Sequence, residues 1–337
     1  MGISRQQKIT VTGYILWQTL LGKRKYSLVL MLEPLYRCNL RCRSCGKIEL
    51  AEMAPDKKLS VQQCVDAARE AGVPVVSITG GEPLLHPDIP EVVSRLIARR
   101  RFIYLCTNGL LLEKRLEEFS PSPFLTINIH IDGLAERHDA LVGRKGVFDT
   151  AVEAIGKLRR RGFRVTTNTT LFADDNPANA AELLDALTAL GVDGMTLAPG
   201  FNYETAPDQT HFMADRQATQ NFFRSLFAIG RKRNWQFNHS SAYLDFLAGR
   251  RDFPCTPWGN PTRNVFGWQR PCYLLREGYA ASYEELLRET DWDAYGVGKN
   301  PKCGACMVHC GFEPTAVRES FAHPLRLWAA SRRYRQC

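Results

Sequence analysis

The 337-residue sequence has no long apolar run, no low-complexity tract and no internal repeat. Its longest apolar stretches, such as residues 27–32, are far shorter than the roughly 20 residues that cross a bilayer. We therefore expect no membrane span. No apolar segment with a small-residue cleavage site stands near the N-terminus, and we expect the chain in the cytoplasm. The absence of biased segments disfavours a fibrous or disordered protein.

Cysteine is too scarce for a disulfide scaffold of this length, yet eleven cysteines are many for an ordinary cytosolic enzyme. In a reducing compartment, clustered thiols favour metal or cluster binding over disulfides. The chain has 44 Lys+Arg against 35 Asp+Glu, a formal net charge of +9. This balance favours an acidic partner such as a phospholipid surface. Because the charge is spread out and no recognition motif is present, we expect no nucleic acid partner.

Between residues 28 and 200, short β-rich runs alternate with helical stretches in about six βα units. The β-rich runs cover residues 28–32, 75–79, 102–106, 124–131, 164–171 and 194–197. The alternation predicts an α/β fold with parallel strands, whose chemistry collects at the carboxyl ends of the strands. We divide the chain into an N-terminal helical extension (1–27), this core (28–200), a connecting helical region (201–254) and a C-terminal cysteine-rich module (255–337). The last is expected to be a second module rather than a continuation of the core, and to end in a basic helix (324–337).

Three thiols stand within eight residues, directly after the first strand: Cys38, Cys42 and Cys45. Three thiolates on a tight loop can hold three irons of a [4Fe–4S] cube and leave the fourth iron open to a substrate. The alternative is a zinc site, which usually has four ligands in pairs with two-residue spacing. The spacing of three and then two residues, in a βα context, favours the iron–sulfur cluster.

This cysteine spacing resembles the signature of the radical S-adenosylmethionine (SAM) superfamily, whose core is a partial (β/α)6 barrel. The resemblance implies that Gly80, Gly81 and Glu82 hold the methionyl ammonium of SAM. Glycines let the backbone approach closely, and a carboxylate pairs with an amine. Ser44 stands where the superfamily often has an aromatic residue that stacks on adenine. The other cofactor-binding residues implied are polar and follow or end the third and fourth strands: Asn108, Asn128, His130 and Asp132.

Longer blocks are similar to the adenosylhopane synthase family over nearly the whole chain, among them VVSITGGEPLLH, YLCTNGLLLEK and CTPWGNPTRNVFGWQRPCYLL. The resemblance implies that the 5′-deoxyadenosyl radical from SAM adds to the alkene of diploptene, a C30 hopanoid, and that hydrogen-atom quenching gives adenosylhopane. It also implies a partner protein that donates the reducing electron. Two alternatives stay open: a radical SAM enzyme acting on another polyprenoid or a peptide, and a non-catalytic zinc or Fe–S interaction protein.

Cys106 ends the third strand at the mouth where SAM should lie. The product radical needs a hydrogen atom, and a thiol S–H bond is weaker than an alkyl C–H bond. We therefore predict that Cys106 is the catalytic hydrogen-atom donor. The alternative is that Cys106 is a small buried apolar residue, which is our prediction for Cys64 on an apolar helical face.

A second set of thiols lies in the C-terminal module: Cys255, Cys272, Cys303, Cys306 and Cys310. The last three have ligand-like spacing. Three interpretations stay open for this second metal site: an auxiliary Fe–S cluster, a structural zinc, or reduced core thiols. Cys337 fits no prenylation motif and is predicted to be a tail thiol.

Diploptene is almost insoluble in water, so an enzyme that uses it is expected to meet it at the inner face of the membrane. Two segments combine apolar and basic residues, 11–25 and 325–335, and suit anionic headgroups. The alternative is that both segments pack on the core with solvated charges. Four aromatic residues are candidates for a hydrocarbon pocket: Trp258, Phe266, Trp268 and Tyr273.

Overall fold

The computed structural model describes residues 2–202, 205–322 and 333–334. The strands, in chain order, are β1 (Val29–Glu33), β2 (Val75–Ile78), β3 (Phe102–Thr107), β4 (Leu125–His130), β5 (Arg164–Leu171), β6 (Gly194–Pro199), β7 (Thr262–Asn264), β8 (Gly267–Pro271) and β9 (Arg276–Ala280). The helices are α1 (Arg5–Leu20), α2 (Ile48–Met53), α3 (Val61–Ala71), α4 (Ile89–Ala98), α5 (Leu112–Arg115), α6 (Ala135–Val142), α7 (Val147–Arg160), α8 (Pro177–Ala189), α9 (Arg216–Ile229), α10 (Ser241–Leu247), α11 (Tyr283–Glu289) and α12 (His309–Ala322).

The strands β1 to β6 lie side by side in chain order and are all parallel. Each is joined to the next by at least one helix, as parallel pairing requires. The predicted α/β fold with a parallel sheet is therefore confirmed. Because the strands are parallel, their carboxyl ends lie at one end of the sheet, and the polar loops that follow the six strands begin there.

The C-terminal cysteine-rich module is present as predicted, and its strands join this sheet instead of forming a separate one. Strand β7 pairs in parallel with β1, with Met31 opposite Thr262 and Glu33 opposite Asn264. Strands β8 and β9 then extend the edge in antiparallel pairing. The three-residue β7 is too short to give a periodic signal, and its pairing depends on residues more than 200 positions away in the chain. The remaining segment boundaries stay predictions.

Helix α3 shows how local sequence sets the elements that carry the sheet. The Ser60 hydroxyl accepts a hydrogen bond from the backbone N–H of Gln63, whose side chain accepts one from the N–H of Ser60. This capping box starts the helix at Val61. Gly72 ends it in the left-handed region, at φ 62°. Cys64 is fully buried on the inner face of α3, which confirms its predicted place in the core.

Successive side chains of a strand point to opposite faces of the sheet, here the main apolar core on one face and an interior cavity on the other. Leu30, Leu32 and Ile78 are fully buried in the main apolar core, whereas Met31 and Ser77 line the cavity. No helix in the described part of the chain is long and apolar enough to cross a bilayer. The predicted basic helix over 324–337 and Cys337 lie outside the described residues, apart from positions 333 and 334.

Candidate functional site

A cavity of about 920 Å³ runs along the interior of the curved sheet. Its polar end is formed by loops at the carboxyl ends of the strands. Its other end is formed by the first residues of the strands, such as Val29 and Val75, and by helix α1. Every cofactor-binding residue predicted from the sequence lines this cavity, as do the three thiols after β1 and Cys106.

The cysteine loop (residues 38–45) follows β1 and turns its three thiols toward the cavity. The backbone N–H of Leu40 donates to Cys38 Sγ at 3.4 Å, and that of Cys45 donates to the carbonyl oxygen of Cys42 at 3.2 Å. These bonds keep the three thiols on one compact turn, as a shared ligand requires. The structure thus brings together the thiols that the sequence spacing predicted.

The chemistry of this loop fits a [4Fe–4S] cluster with a polar ligand. Among the described residues, no three His, Cys, Asp or Glu side chains are placed to hold a single metal ion. A cube needs no such convergence, because each thiolate binds a different iron. Two buried hydroxyl oxygens of the same cavity, Ser44 Oγ and Thr79 Oγ1, have no hydrogen-bond partner within the described chain. Buried polar atoms without partners are rare and fit a site that a polar ligand such as SAM completes.

The turn after β2 (residues 80–82) is packed against the start of the cysteine loop. The backbone N–H of Gly81 donates to the carbonyl oxygen of Leu35, and that of Glu82 to the carbonyl oxygen of Arg37, both at 3.0 Å. A Cβ at Gly80 would lie 2.4 Å from the Leu35 oxygen, and Gly80 has φ 106°. These glycines are therefore needed for contact between two loops as well as for any approach of a ligand.

The Glu82 carboxylate is turned toward donors of the protein itself. Its Oε1 accepts from the Thr107 hydroxyl at 2.8 Å and from the Leu84 N–H at 3.0 Å, and its Oε2 accepts from the Asn108 N–H at 2.9 Å. Burial raises the pKa of Glu82, and these three bonds oppose the rise. Since a carboxylate offers about four acceptor positions, Oε2 keeps one for the methionyl ammonium that the sequence resemblance implies.

Asn108 connects the end of β3 to the cysteine loop. Besides its N–H bond to Glu82, its side-chain Nδ2 donates to Asn39 Oδ1 at 2.7 Å. Asn39 lies between the first two cysteines of the loop. The predicted cofactor residue Asn108 therefore also fixes the position of the thiols.

The end of β4 places Asn128, His130 and Asp132 on one face, as strand alternation predicts. His130 Nε2 and Asp132 Oδ2 are 2.5 Å apart, and Asp132 Oδ1 accepts from the Thr170 N–H at 2.7 Å. Burial lowers the pKa of His130, but the charge of Asp132 and its hydrogen bond outweigh burial, so the pKa is raised. The pair presents an imidazole ring and a carboxylate to a ligand in the same cavity.

Cys106 faces the cavity between its polar and apolar parts. Its Sγ lies 3.5 Å from Ser77 Oγ and 3.4 Å from Asn128 Nδ2, while Asn128 Oδ1 accepts from the Thr166 hydroxyl at 2.8 Å. Burial raises the pKa of the Cys106 thiol, so the sulfur keeps its hydrogen at neutral pH. Unlike Cys64, this cysteine is partly exposed to the cavity.

The second set of five cysteines also comes together, in what we call the auxiliary thiol pocket. All five line one small cavity of about 30 Å³, together with Phe201 and Leu274, which also line the large cavity. Burial raises the pKa of Cys272 to about 11 and that of Cys306 to about 12. A Cβ on Gly311 would lie 2.5 Å from Cys255 Sγ, so a larger residue there would have to displace this thiol.

An ion pair that the sequence did not predict fixes the base of the cysteine loop. Lys47 Nζ lies 3.0 Å from Glu33 Oε1, and the Tyr36 hydroxyl donates to Glu33 Oε2 at 2.7 Å. The Lys47 ammonium also lies 4.3 Å from the ring centre of Tyr273, in the C-terminal module. Charges that are buried in this way need a partner. No local motif marks these residues, because the contact joins separate parts of the chain.

Of the four aromatic residues proposed for the pocket, Tyr273 lines the large cavity. Trp268 is buried in the main core and packs against Tyr283. Phe266 stacks on Tyr36 at 6.0 Å. Other apolar lining residues come from the strands and from the loops after β5 and β6, including Phe172 and Phe212.

Comparisons with known proteins agree with this geometry. Residues 32–187 match a family model described as the radical SAM superfamily, and residues 195–330 match one described as a domain of unknown function, DUF3463. Pre-heme d1 synthase of Dinoroseobacter shibae is 30% identical over 276 residues, which cover 78% of this chain and 68% of the relative. GTP 3′,8-cyclase 1 of Mycobacterium tuberculosis is 30% identical over 167 residues. The match covers 46% of each chain, so this chain spans about half the length of that relative.

Solved structures show the same fold at low sequence identity. Streptococcus suis SuiB bound to the precursor peptide SuiA has a TM-score of 0.66 at 16% identity, over 88% of this chain and 73% of that chain. A structure of anSMEcpe with bound AdoMet has a TM-score of 0.59 at 14% identity, over 91% of this chain and 99% of that chain. At these identities the likeness extends to the fold and not to a substrate.

Proposed function

Because this chain belongs to the radical SAM superfamily, we propose that it is the enzyme that joins the 5′-deoxyadenosyl group of SAM to diploptene and so forms adenosylhopane. It is a radical SAM enzyme that binds a [4Fe–4S] cluster and SAM. The cluster supplies one-electron reduction of SAM, which releases methionine and the 5′-deoxyadenosyl radical. The cysteine loop holds the cluster through Cys38, Cys42 and Cys45.

The observation that carries the substrate proposal is the shape and polarity of the large cavity. Its polar end, with Glu82, Asn108 and Asp132, suits the amine and hydroxyl groups of SAM. Its other end is walled by strand residues such as Val29, Met31 and Val75 and suits a hydrocarbon. A rigid apolar substrate in this end would present its alkene to the adenosyl group near Cys106.

Cys106 stands at the boundary between these two ends, where a product radical would form. In the proposed step, the S–H bond of Cys106 breaks and a C–H bond of the hopane side chain forms, leaving a thiyl radical. One electron and one proton then restore the thiol. With the electron that cleaves SAM, each turnover consumes two electrons, which the partner electron-donor protein supplies. Residues Ser77 and Asn128 hold the sulfur in position.

Resemblance of the long C-terminal block to adenosylhopane synthases supports the same substrate, since this block is outside the superfamily signature. It contributes β7, which lies beside β1, and Tyr273, which lines the cavity. The module that distinguishes the family thus helps to form the wall of the cavity. This contact supports a role for the module in substrate choice.

The auxiliary thiol pocket is proposed to hold a second iron–sulfur cluster rather than zinc. Its five thiols are gathered around one space, yet no three metal-binding side chains among the described residues are placed for a single ion. Tetrahedral zinc needs four ligands at one centre, whereas a cluster needs its thiolates spread over several irons.

The direct test is an anaerobic incubation with SAM, a chemical reductant and diploptene, followed by mass spectrometry. We expect methionine and adenosylhopane. A parallel incubation with GTP in place of diploptene serves as the control, because curated relatives are named GTP 3′,8-cyclases. Deoxyadenosine without a hopane adduct, or turnover of GTP, would refute diploptene as the substrate and leave the superfamily assignment intact.

A further inference from the structure

Helix α1 exposes large apolar side chains that an ordinary surface helix would turn inward, and it buries two glutamines. Gln7 and Gln18 face the protein and are only 7% and 8% exposed. The large apolar side chains that are more than half exposed lie on the opposite side: Ile9, Leu16, Trp17 and Leu20. At 3.6 residues per turn these four fall on one face, which we call the outer face of α1. An exposed apolar face of this kind marks an interaction surface.

The inner face of α1 fixes its orientation. The Tyr104 hydroxyl donates to Gln7 Oε1 at 3.0 Å, and the N–H of Gly2 donates to the carbonyl oxygen of Phe237 at 2.8 Å. Ile15 packs with Tyr26 in a small apolar cluster. Since the helix is held from both its start and its middle, it cannot turn its apolar side chains inward without losing these contacts.

The charge around the outer face has one sign. Residues 1–32 contain five Lys or Arg and no Asp or Glu. Lys23, Arg24 and Lys25 follow the helix directly and are exposed, and Arg5 lies on the same side as Ile9. A protein partner needs no such uniform charge, whereas an apolar face flanked by cations is what an anionic bilayer binds.

We infer that α1 is a docking helix that lies on an anionic lipid bilayer, with its outer face in the headgroup region and Lys23–Lys25 on the phosphates. Trp17 has an apolar ring and a polar N–H and suits the interface between headgroups and acyl chains. The combination of an apolar face and a basic cluster supplies the two signals that stable peripheral binding needs.

Docking in this orientation places the amino end of the large cavity at the membrane. Val11 and Thr12 of α1 line that end, and so does the exposed Lys8, so the cavity reaches the surface beside the helix. A hydrocarbon substrate could pass from the bilayer into the apolar part of the cavity without crossing water. This passage rests on the proposed function, whereas docking itself does not.

Flotation on sucrose gradients tests docking with the full-length, cluster-loaded protein. Vesicles of phosphatidylcholine with phosphatidylglycerol are compared with vesicles of phosphatidylcholine alone. We expect the wild type to float with the anionic vesicles, and Trp17→Ser with Leu20→Ser to reduce partitioning by about tenfold for each side chain removed. The matched control, Ile229→Ser with Val297→Ser, removes exposed apolar side chains elsewhere and should float like the wild type.

A second arm tests the charge. Lys23→Glu with Arg24→Glu should abolish the preference for anionic vesicles, whereas Lys145→Glu with Lys232→Glu, exposed positions elsewhere, should keep most of it. Docking is overturned if the wild type stays at the bottom of the gradient that contains anionic vesicles, or if the variant with both Trp17→Ser and Leu20→Ser floats as well as the wild type. Sedimentation velocity that shows self-association through these residues would instead assign the face to a second copy. Failure of adenosylhopane synthesis with intact flotation would refute the proposed function alone.

Discussion

Replacing Gly81 by Ala tests whether the turn after β2 positions the cysteine loop. The added Cβ would lie 2.3 Å from the carbonyl oxygens of Tyr36 and Arg37, although real Cβ contacts stay beyond 3.0 Å. The two loops must therefore separate by at least about 0.7 Å, which breaks the two 3.0 Å bonds between them. Two hydrogen bonds at about 1 kcal/mol each and overpacking of about 1–3 kcal/mol predict a loss of about 3–5 kcal/mol in the free energy of unfolding.

The assay is denaturant unfolding of the cluster-free protein under reducing conditions, followed by iron analysis after anaerobic reconstitution. Gly81→Ala should also lower iron at the cysteine loop, because the loop loses its support. Gly13→Ala is the matched control: its Cβ meets nothing within 4 Å, and it should gain up to about 1 kcal/mol from helix propensity. Unchanged stability together with full iron loading in Gly81→Ala would refute the reasoning.

Three further predictions concern the thiols and the histidine. Cys106→Ala should keep cleavage of SAM to methionine but lose reduced adenosylhopane in favour of an oxidised or rearranged adduct. The control Cys64→Ala should still form adenosylhopane. Normal product from Cys106→Ala, measured by mass spectrometry, would show that Cys106 is not the hydrogen-atom donor. Protein lacking the three cysteine-loop thiols should retain about four irons per chain in the auxiliary thiol pocket, whereas zinc in place of iron would contradict the cluster there. Because the folded-state pKa of His130 is raised above 6.5, its contribution to the free energy of unfolding is fully present below pH 6.5 and is lost as pH rises through the raised pKa. Asp132→Asn should flatten that part of the pH profile, and an unchanged slope would show that Asp132 is not the cause.

Local sequence was sufficient to predict the core strands. Each β-rich run from 28 to 200 became a parallel strand because its apolar residues alternate or run together and a glycine or polar turn follows. The cap at Ser60 and the stop at Gly72 depend only on neighbouring residues. The cysteine loop was predictable for the same reason, since its ligands lie within eight positions.

Contacts between distant segments could not be predicted in this way. Strand β7 owes its place to pairing with β1, and the Lys47–Glu33 pair depends on how the loop folds back. The three donors from its own loop and from the end of β3 that hold the Glu82 carboxylate were not predicted, and its role toward a ligand stays a prediction. The exposed apolar face of α1 could not be predicted either, because which face is buried depends on contacts with Tyr104 and Tyr26 and not on the helix itself.

The most direct test of the central claim is the anaerobic reaction with SAM, reductant and diploptene in deuterated water. The Cys106 S–H hydrogen exchanges with solvent, so quenching from this thiol should give adenosylhopane that is one mass unit heavier than the product formed in ordinary water. Alkyl C–H hydrogens do not exchange. Deoxyadenosine without any hopane adduct would contradict the proposed reaction, and adenosylhopane without deuterium would contradict the role of Cys106.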